Sequence, residues 1–147
     1  MKRLICLLAL GWLLCLSAAA LAGDDHVALV KHVDGSVKVM RASGNVEATG
    51  GAQLQLADRL VAAPGASASI VFRDGTLLTL GSGADVQVRD YLFEPKDDAF
   101  SFSLYLQKGS AIYESGKIGK LKPEAVKIDT PTATVGVRGT RFLIEAE

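Results

Sequence analysis

Short runs of β-forming residues, each closed by a turn signal, recur along this chain and constrain its fold more than any other feature. From Val27 onward the runs are rich in valine, isoleucine, leucine and threonine, and dipeptides such as Asp34-Gly35 and Asp74-Gly75 separate them. Asp-Gly between two strands favours a tight turn with positive φ. Because the turn signals recur at roughly the 8–12-residue spacing of all-β folds, the sequence predicts a single all-β domain of about ten short strands.

Three stretches are predicted to interrupt this pattern. Tyr91–Ala99 contains a proline and three acidic residues, so we expect a surface loop there. Lys108-Gly109 is expected to form a turn after the alternating strand around Leu104. The four lysines between Lys117 and Lys127 are expected to lie in a solvated, flexible loop that protects a sheet edge.

The amino-terminal residues have the three regions of a secretory signal peptide. A basic start, M-K-R, is followed by an apolar run over residues 4–16 and then by small residues. Ala20 and Ala22 fit the A-x-A cleavage pattern, so we expect cleavage before Gly23. An uncleaved anchor over residues 4–22 is the alternative, since that run is just long enough to cross a bilayer, but its alanine-rich end favours cleavage.

Cleavage at that position defines two parts of the chain: a signal peptide, residues 1–22, and a β domain, residues 23–147. The expected location is periplasmic or secreted, with no membrane span after cleavage. Both cysteines, Cys6 and Cys15, lie in the signal peptide. The β domain therefore has no cysteine, and its stability must come from its core alone.

The balance of charges argues against nucleic acid as a partner. The chain has 16 Lys and Arg and 16 Asp and Glu. Two of the basic residues lie in the signal peptide, which leaves 14 basic against 16 acidic residues and a net charge of −2. Nucleic-acid-binding domains carry a basic patch instead.

The segment from Thr130 to Phe142, T-P-T-A-T-V-G-V-R-G-T-R-F, is predicted to be the closing strand of the sheet. Pro131 marks the start of the strand because proline cannot donate to a ladder. Two apolar pairs in and just after the segment have opposite parity, so the strand must shift phase, and Gly139 is best able to host the bulge. We expect four buried side chains: Val135, Val137, Phe142 and Ile144.

No catalytic constellation is apparent, and we expect a protein that is not an enzyme. Asp58, Asp74 and Asp129 are dispersed acids; turn chemistry explains Asp74, and strand edges explain the other two. No cofactor or metal site is expected. His26 could complete an amino-terminal copper(II) or nickel(II) site only if cleavage made it the third residue; the alternative, a disordered terminus, is favoured.

Two sets of side chains are candidates for binding a partner. Arg138 and Arg141 are expected to point away from the core, where they either pair with surface acids or recognise an acidic partner or carboxylated ligand. Tyr91 and Phe93, with Phe100, either form an exposed aromatic contact surface or cap the core.

The order of several motifs resembles the FecR-type domain family, named for the regulator of ferric citrate signalling in bacterial envelopes. The motifs are G-S-V-K-V, G-A-Q-L-Q-L-A-D-R-L, A-S-I-V-F-R-D-G-T-L-L-T-L-G, L-Q-K-G-S-A and I-D-T-P-T-A-T-V-G-V-R-G-T-R-F. They extend from about Val30 to Ile144. The residues that carry the family's structural motif are Asp74, Gly75, Thr130, Pro131, Gly136, Gly139, Thr140 and Phe142.

The resemblance implies an extracytoplasmic twisted β-solenoid or rolled β-sheet that serves protein–protein signalling. The ferric citrate regulators also have a cytoplasmic sigma-factor-binding segment, a transmembrane helix and a further domain, to which nothing in this sequence corresponds. We therefore expect an adaptor or sensor component that binds an envelope protein or a cell-wall polymer. The alternative is a periplasmic small-molecule or metal-binding protein that uses Arg138, Arg141 or the terminal histidine.

Overall fold

Twelve β-strands form most of the backbone in the computed structural model, which describes residues 26–147. The strands are β1 (Ala28–Asp34), β2 (Val37–Arg41), β3 (Gly44–Glu47), β4 (Gln53–Leu54), β5 (Arg59–Ala62), β6 (Ser67–Phe72), β7 (Leu77–Leu80), β8 (Asp85–Glu94), β9 (Ala99–Glu114), β10 (Val126–Asp129), β11 (Thr134–Gly136) and β12 (Arg141–Ala146). The helical segments are α1 (Lys117–Leu121) and 3-10 turns at Pro95–Asp97 and Pro123–Ala125. The predicted all-β class is confirmed.

One long strand, β9, joins the two halves of a single curled sheet. Its first half pairs with β8 and β10, and its second half pairs with β7 and β12. One half-sheet therefore runs in the order β4-β1-β6-β7-β9-β12, and the other runs β3-β2-β5-β8-β9-β10-β11. Every pairing is antiparallel except β9 with β10. The sheet curls into a half-barrel, which is the rolled-sheet form of the prediction.

Partway along its length, β9 changes the face that it turns inward. Its first half buries every second residue from Phe102 to Leu106, whereas its second half buries Ala111 and Tyr113, which have the opposite parity. The backbone must therefore be irregular in between. Gly109 supplies the irregularity with φ of +85°, and a Cβ there would lie 2.5 Å from Ala84 Cα. The predicted turn at this glycine is wrong, because the residue kinks one continuous 16-residue strand.

The core lies between the two half-sheets and is filled from alternating positions of the strands. In β6 and β7 every second residue is buried, ending in Phe72 and Leu80. Four aromatic rings form its centre, with Phe72 4.9 Å from Phe102 between ring centroids and Phe102 5.8 Å from Tyr113. Tyr91 completes this cluster at 5.4 Å from Phe72. These edge-to-face and offset contacts link both half-sheets through the middle of the molecule.

The predicted loop over Tyr91–Ala99 is mostly strand. β8 runs through Tyr91 to Glu94, and the chain turns at Pro95–Asp97 before β9 begins at Ala99. The register of the pair ends with Glu94 opposite Ala99. The acidic residues and the proline occupy a tight turn, so the local composition identified the turn correctly but overestimated its length.

The segment from Thr130 to Phe142 forms two strands instead of one. β10 and β11 make a hairpin whose turn contains Pro131, with the Thr130 N–H donating to the Ala133 C=O at 2.7 Å. Pro131 therefore occupies a turn, where its fixed φ is favourable, and does not start a closing strand. The chain then leaves β11, passes Gly139 at φ of +126° and enters β12 in the other half-sheet. The predicted irregularity at Gly139 is thus a complete break between two ladders.

Burial in this segment follows the prediction in part. Val137 and Ile144 are buried, whereas Val135 and Phe142 are half-buried. Phe142 still contacts the core, with its ring centroid 5.1 Å from that of Tyr113. Val135 and Val137 pack against other strands than Phe142 and Ile144 do, because the two pairs belong to different half-sheets.

The lysine-rich stretch is not a flexible loop throughout. Lys117–Leu121 forms α1, and its Ile118 side chain is fully buried. Lys117 and Lys120 remain exposed, as predicted for solvated charges. Two apolar residues in a helix of five, Ile118 and Leu121, are too few to give a helical period, which explains why the sequence did not reveal this helix.

Residues 1–25 lie outside the described part of the chain, so the predicted signal peptide and its cleavage site remain predictions. Within residues 26–147, no helix is long and apolar enough to cross a membrane.

Candidate functional site

A groove of about 680 Å³ runs beside β11 at one edge of the sheet. We call it the edge groove. Buried Val126 and Val137 form its apolar part. Its other lining residues are Pro123, Glu124, Lys127, Thr134, Gly136, Arg138 and Gly139. A Cβ built on Gly136 meets no atom within 4 Å, so the space above this residue is open.

The free edge of β11 carries backbone hydrogen-bonding groups that point away from β10. Among the strands of residues 26–147, β11 pairs only with β10. The bond from the Thr130 N–H to the Ala133 C=O makes these two residues a bonded pair. Bonded and non-bonded pairs alternate in an antiparallel ladder, so Val135 directs its N–H and C=O towards β10, while Thr134 and Gly136 direct theirs away. Such an edge can pair with another strand.

The edge groove carries more positive than negative charge. Arg138 and Lys127 are both exposed beside it, and Glu124 is its one acidic lining residue. Arg138 makes no ion pair with a carboxylate in the described part of the chain. A guanidinium in this state can bind a carboxylate of another molecule through two parallel hydrogen bonds.

Arg141 lies elsewhere, and the structure does not bring the two predicted arginines into one patch. Arg141 is on β12, with its Nε 3.9 Å from Glu114 Oε1 on the neighbouring strand. It does not line the edge groove. Both arginines are exposed, as expected, but Arg141 follows the alternative prediction of pairing with a surface acid.

The predicted aromatic contact surface is smaller than expected. Tyr91 is only 8% exposed and belongs to the core cluster, so it caps the core and cannot present its ring to a partner. Phe93 and Phe100 are half-buried and contact one another, with 6.0 Å between ring centroids. They lie opposite each other on β8 and β9, next to exposed Leu92.

Asp74 has a larger structural role than the turn chemistry that the sequence predicted. Its carboxylate is buried and accepts hydrogen bonds from the Thr76 hydroxyl at 2.7 Å, the Ile118 N–H at 3.0 Å and the Tyr91 hydroxyl at 3.1 Å. Its backbone C=O also accepts from the Lys117 N–H at 2.9 Å. One side chain therefore fastens the β6–β7 turn to β8 and to the start of α1.

This network is architectural and does not resemble a catalytic site. The carboxylate accepts four hydrogen bonds, from the hydroxyls of Thr76 and Tyr91 and from the backbone N–H groups of Thr76 and Ile118, and no second carboxylate among the described residues is bonded to it. Burial, and then the neighbouring Asp74 carboxylate, raises the pKa of Tyr91 above its ordinary value. The other two acids considered in the sequence are also placed structurally: Asp58 accepts from Arg41 Nε at 2.9 Å, and Asp129 accepts from the Thr134 hydroxyl at 2.7 Å.

No group of three or more His, Cys, Asp or Glu side chains among residues 26–147 is arranged to hold a metal ion. The proposed amino-terminal copper or nickel site depends on Asp24 and Asp25, which lie outside the described residues. His26 and His32 do not form such a group with other described residues.

Sequence reasoning found Arg138, Gly136 and Gly139. It missed the lining residues outside the Thr130–Phe142 segment, which are Pro123, Glu124, Val126 and Lys127. They come from the Pro123–Ala125 turn and from β10, which approach β11 only after the hairpin has formed. A signal was present: two β-forming runs separated by Pro131-Thr132 have the spacing of a two-residue hairpin loop.

A family model of known proteins matches the carboxyl-terminal part of the chain. The family model described as FecR protein matches residues 58–147, which is more than half of the chain. Neither the curated proteins nor the solved structures contain a significant match. The matched region includes β5 to β12, and with them the Asp74 network and the whole edge groove. This protein therefore belongs to the FecR protein family.

Proposed function

We propose that this protein is a non-enzymatic adaptor of the bacterial envelope, and that it binds an extended segment of another envelope protein in the edge groove. The FecR family consists of signalling or regulator-related modules, is non-enzymatic and is typically extracytoplasmic. The predicted signal peptide over residues 1–22 supports an envelope location.

The observation that carries this proposal is the free edge of β11. Thr134 and Gly136 line the edge groove, and they direct their backbone N–H and C=O groups away from β10. An added strand would satisfy these groups, which is the mode of recognition called β-augmentation. Main-chain hydrogen bonds supply affinity in this mode, and side-chain contacts beside the edge supply specificity.

The charges of the edge groove indicate the chemistry of the partner. Arg138 and Lys127 favour a segment with an acidic residue or a terminal carboxylate, and buried Val126 and Val137 favour an apolar residue beside it. The occupant that fits is an extended segment with one carboxylate next to an apolar side chain.

Site-specific photo-crosslinking in living cells tests the proposal. A photoreactive amino acid is placed at Thr134 or Arg138, and at Lys38 as a control, because Lys38 is exposed on β2 at the far side of the same half-sheet. The expected result is one identified envelope protein, crosslinked through one contiguous segment from both groove positions and not from position 38. No crosslinked protein at either groove position, or equal yields at all three, would contradict the proposal.

A synthetic peptide of the crosslinked segment then tests the role of Arg138. Arg138→Glu is expected to weaken binding by tenfold or more, since it replaces attraction by repulsion at a partly desolvated charge pair. Lys31→Glu is the matched control, because it makes the same change of charge on β1 in the other half-sheet. Equal binding by both variants would exclude Arg138 as a recognition residue.

Thermal-shift measurements distinguish the proposed function from the alternative, which is binding of a small molecule or a metal. A tight ligand raises the melting temperature by mass action. Citrate, a siderophore and divalent metals are each titrated, and the proposal expects no shift from them. A saturable shift that Arg138→Glu removes would assign the edge groove to a carboxylated small molecule instead.

A further inference from the structure

The free edge of β12 is complementary to itself. We infer that two copies of this protein pair along β12, in an antiparallel two-fold arrangement centred on Leu143. This inference concerns a different strand from the edge groove and does not depend on the proposed function.

The backbone of β12 is available for such pairing. Within residues 26–147, β12 pairs only with β9. The Ser115 N–H of the β9 side donates to the Thr140 C=O at 2.8 Å, so the residues bonded towards β9 continue at every second position from Thr140. The residues of β12 that direct N–H and C=O to the free side are therefore Arg141, Leu143 and Glu145.

The side chains of these three residues also match under two-fold symmetry. Pairing centred on Leu143 places Arg141 opposite Glu145 of the second copy, and Glu145 opposite its Arg141. Directly opposed residues of unlike charge stabilise an antiparallel pair. On the inner face, the same register places Phe142 opposite Ile144 of the second copy. The inner face of the pair is therefore apolar on both copies, and the outer face pairs opposite charges.

The centre of the proposed contact is apolar. Leu143 is 58% exposed, although it lies in a regular strand. Its neighbour across the ladder is half-buried Ile112 on β9. In the pair, two leucines meet on the two-fold axis, flanked by one isoleucine from each copy. Burial of this cluster adds a hydrophobic contribution to the backbone pairing.

The charges beside the cluster extend the match to β9. Arg141 Nε lies 3.9 Å from Glu114 Oε1 within one copy. In the pair, Arg141 would lie between Glu114 and Glu145 of the second copy, which makes a row of alternating charge. Charged residues often protect a free edge, and like charges do so by repelling a second copy. Here the charges are of opposite sign and equally spaced from Leu143, so they attract.

Analytical ultracentrifugation of the purified protein over a series of concentrations tests the inference. A reversible monomer–dimer equilibrium is expected, and its affinity should be modest because a single pair of strands buries little surface. Arg141→Glu alone and Glu145→Arg alone are each expected to weaken dimerisation at least tenfold. The combined variant restores opposite charges across the axis and is expected to recover most of the lost affinity, although it gives up the contact between position 141 and Glu114.

Two leucine variants distinguish a specific contact from nonspecific hydrophobic association. Leu143→Lys places two like charges on the axis and is expected to abolish the dimer, whereas Leu121→Lys changes an exposed leucine of α1, which is 64% exposed, and is expected to leave the dimer intact. Circular dichroism and the melting temperature of each variant show that it is folded.

Leu143→Cys tests the register directly. The Leu143→Cys protein is prepared without residues 1–22, the predicted signal peptide, so the remaining chain has no other cysteine. Oxidation can then join only the two introduced thiols, which would face each other across the axis. The paired Cα atoms of a bonded antiparallel pair are about 5.5 Å apart, within the range that a disulfide spans. We expect rapid formation of a covalent dimer at position 143, and slow formation for Lys38→Cys. A wild type that stays monomeric at all concentrations, a combined variant without rescue, or equal crosslinking at both positions would each overturn the inference.

Discussion

At the scale of single residues, the contact between Asp74 and Tyr91 supplies hydrogen-bond partners to polar groups that are buried in the core. The Tyr91 hydroxyl accepts from the Asp74 N–H at 2.9 Å and donates to the Asp74 carboxylate at 3.1 Å. Buried polar groups cost free energy unless they are bonded. The two residues satisfy one another, and the ring of Tyr91 also packs in the aromatic cluster.

This contact predicts a loss of stability at alkaline pH. Burial raises the pKa of Tyr91 and of Tyr113 above the ordinary value of 10.0. The unfolded chain therefore loses these protons first as the pH rises, and ionisation favours the unfolded state. The stabilisation is fully present below about pH 10 and is lost above it, with a slope of at most ~1.4 kcal/mol per pH unit for each tyrosine.

Urea denaturation at a series of pH values measures this slope. Tyr91→Phe is expected to reduce it, and to cost about 1–2 kcal/mol at neutral pH because the Asp74 N–H and carboxylate lose a partner. A free energy of unfolding that does not change between pH 9 and 12 in the wild type would contradict the burial of both hydroxyls.

At the scale of elements, the kink in β9 allows one strand to serve both half-sheets. Its inward face changes parity between Leu106 and Ala111, and Gly109 lies between them. Without this change, one half of β9 would direct its apolar residues to solvent. The kink therefore positions β7 and β12 on one side of the molecule and β8 and β10 on the other.

Gly109→Ala is expected to destabilise the fold by about 2–4 kcal/mol, because positive φ strains an alanine and its Cβ would collide with the backbone of Ala84. Gly65→Ala is the matched control: Gly65 has φ of +80° but open space around its Cβ position, so only the backbone strain of about 1–2 kcal/mol applies. Chemical denaturation compares the two variants. Equal losses would show that the close approach to Ala84 contributes nothing.

At the scale of the whole molecule, the sequence predicted local structure well and pairing poorly. Asp74-Gly75 forms the predicted β6–β7 hairpin turn, with Gly75 at φ of +87°. Asp34-Gly35 looks the same in sequence, and Gly35 also has positive φ, yet β1 and β2 do not pair and belong to different half-sheets. Turn chemistry specifies a change of direction, whereas the packing of distant residues decides the neighbour.

The edge groove was not predicted, because it too depends on which distant strands become neighbours. The exposure of Arg138 was predictable, because the alternation of buried and exposed residues continues past the end of β11 through buried Val137. The edge groove requires β10 to pair with the first half of β9 while β12 pairs with its second half. The second pairing begins at the kink at Gly109, which resembles a turn when only its neighbours in sequence are considered.

Amide hydrogen exchange measured by NMR shows whether a partner strand adds to β11. In the free protein the amides of Thr134 and Gly136 point to solvent and are expected to exchange fast, while that of Val135 is bonded within the hairpin. When the crosslinked partner segment binds as a strand, Thr134 and Gly136 are predicted to become protected and Val135 to change little. If binding is saturated and both outward amides still exchange as fast as in the free protein, the partner does not add to β11 as a strand.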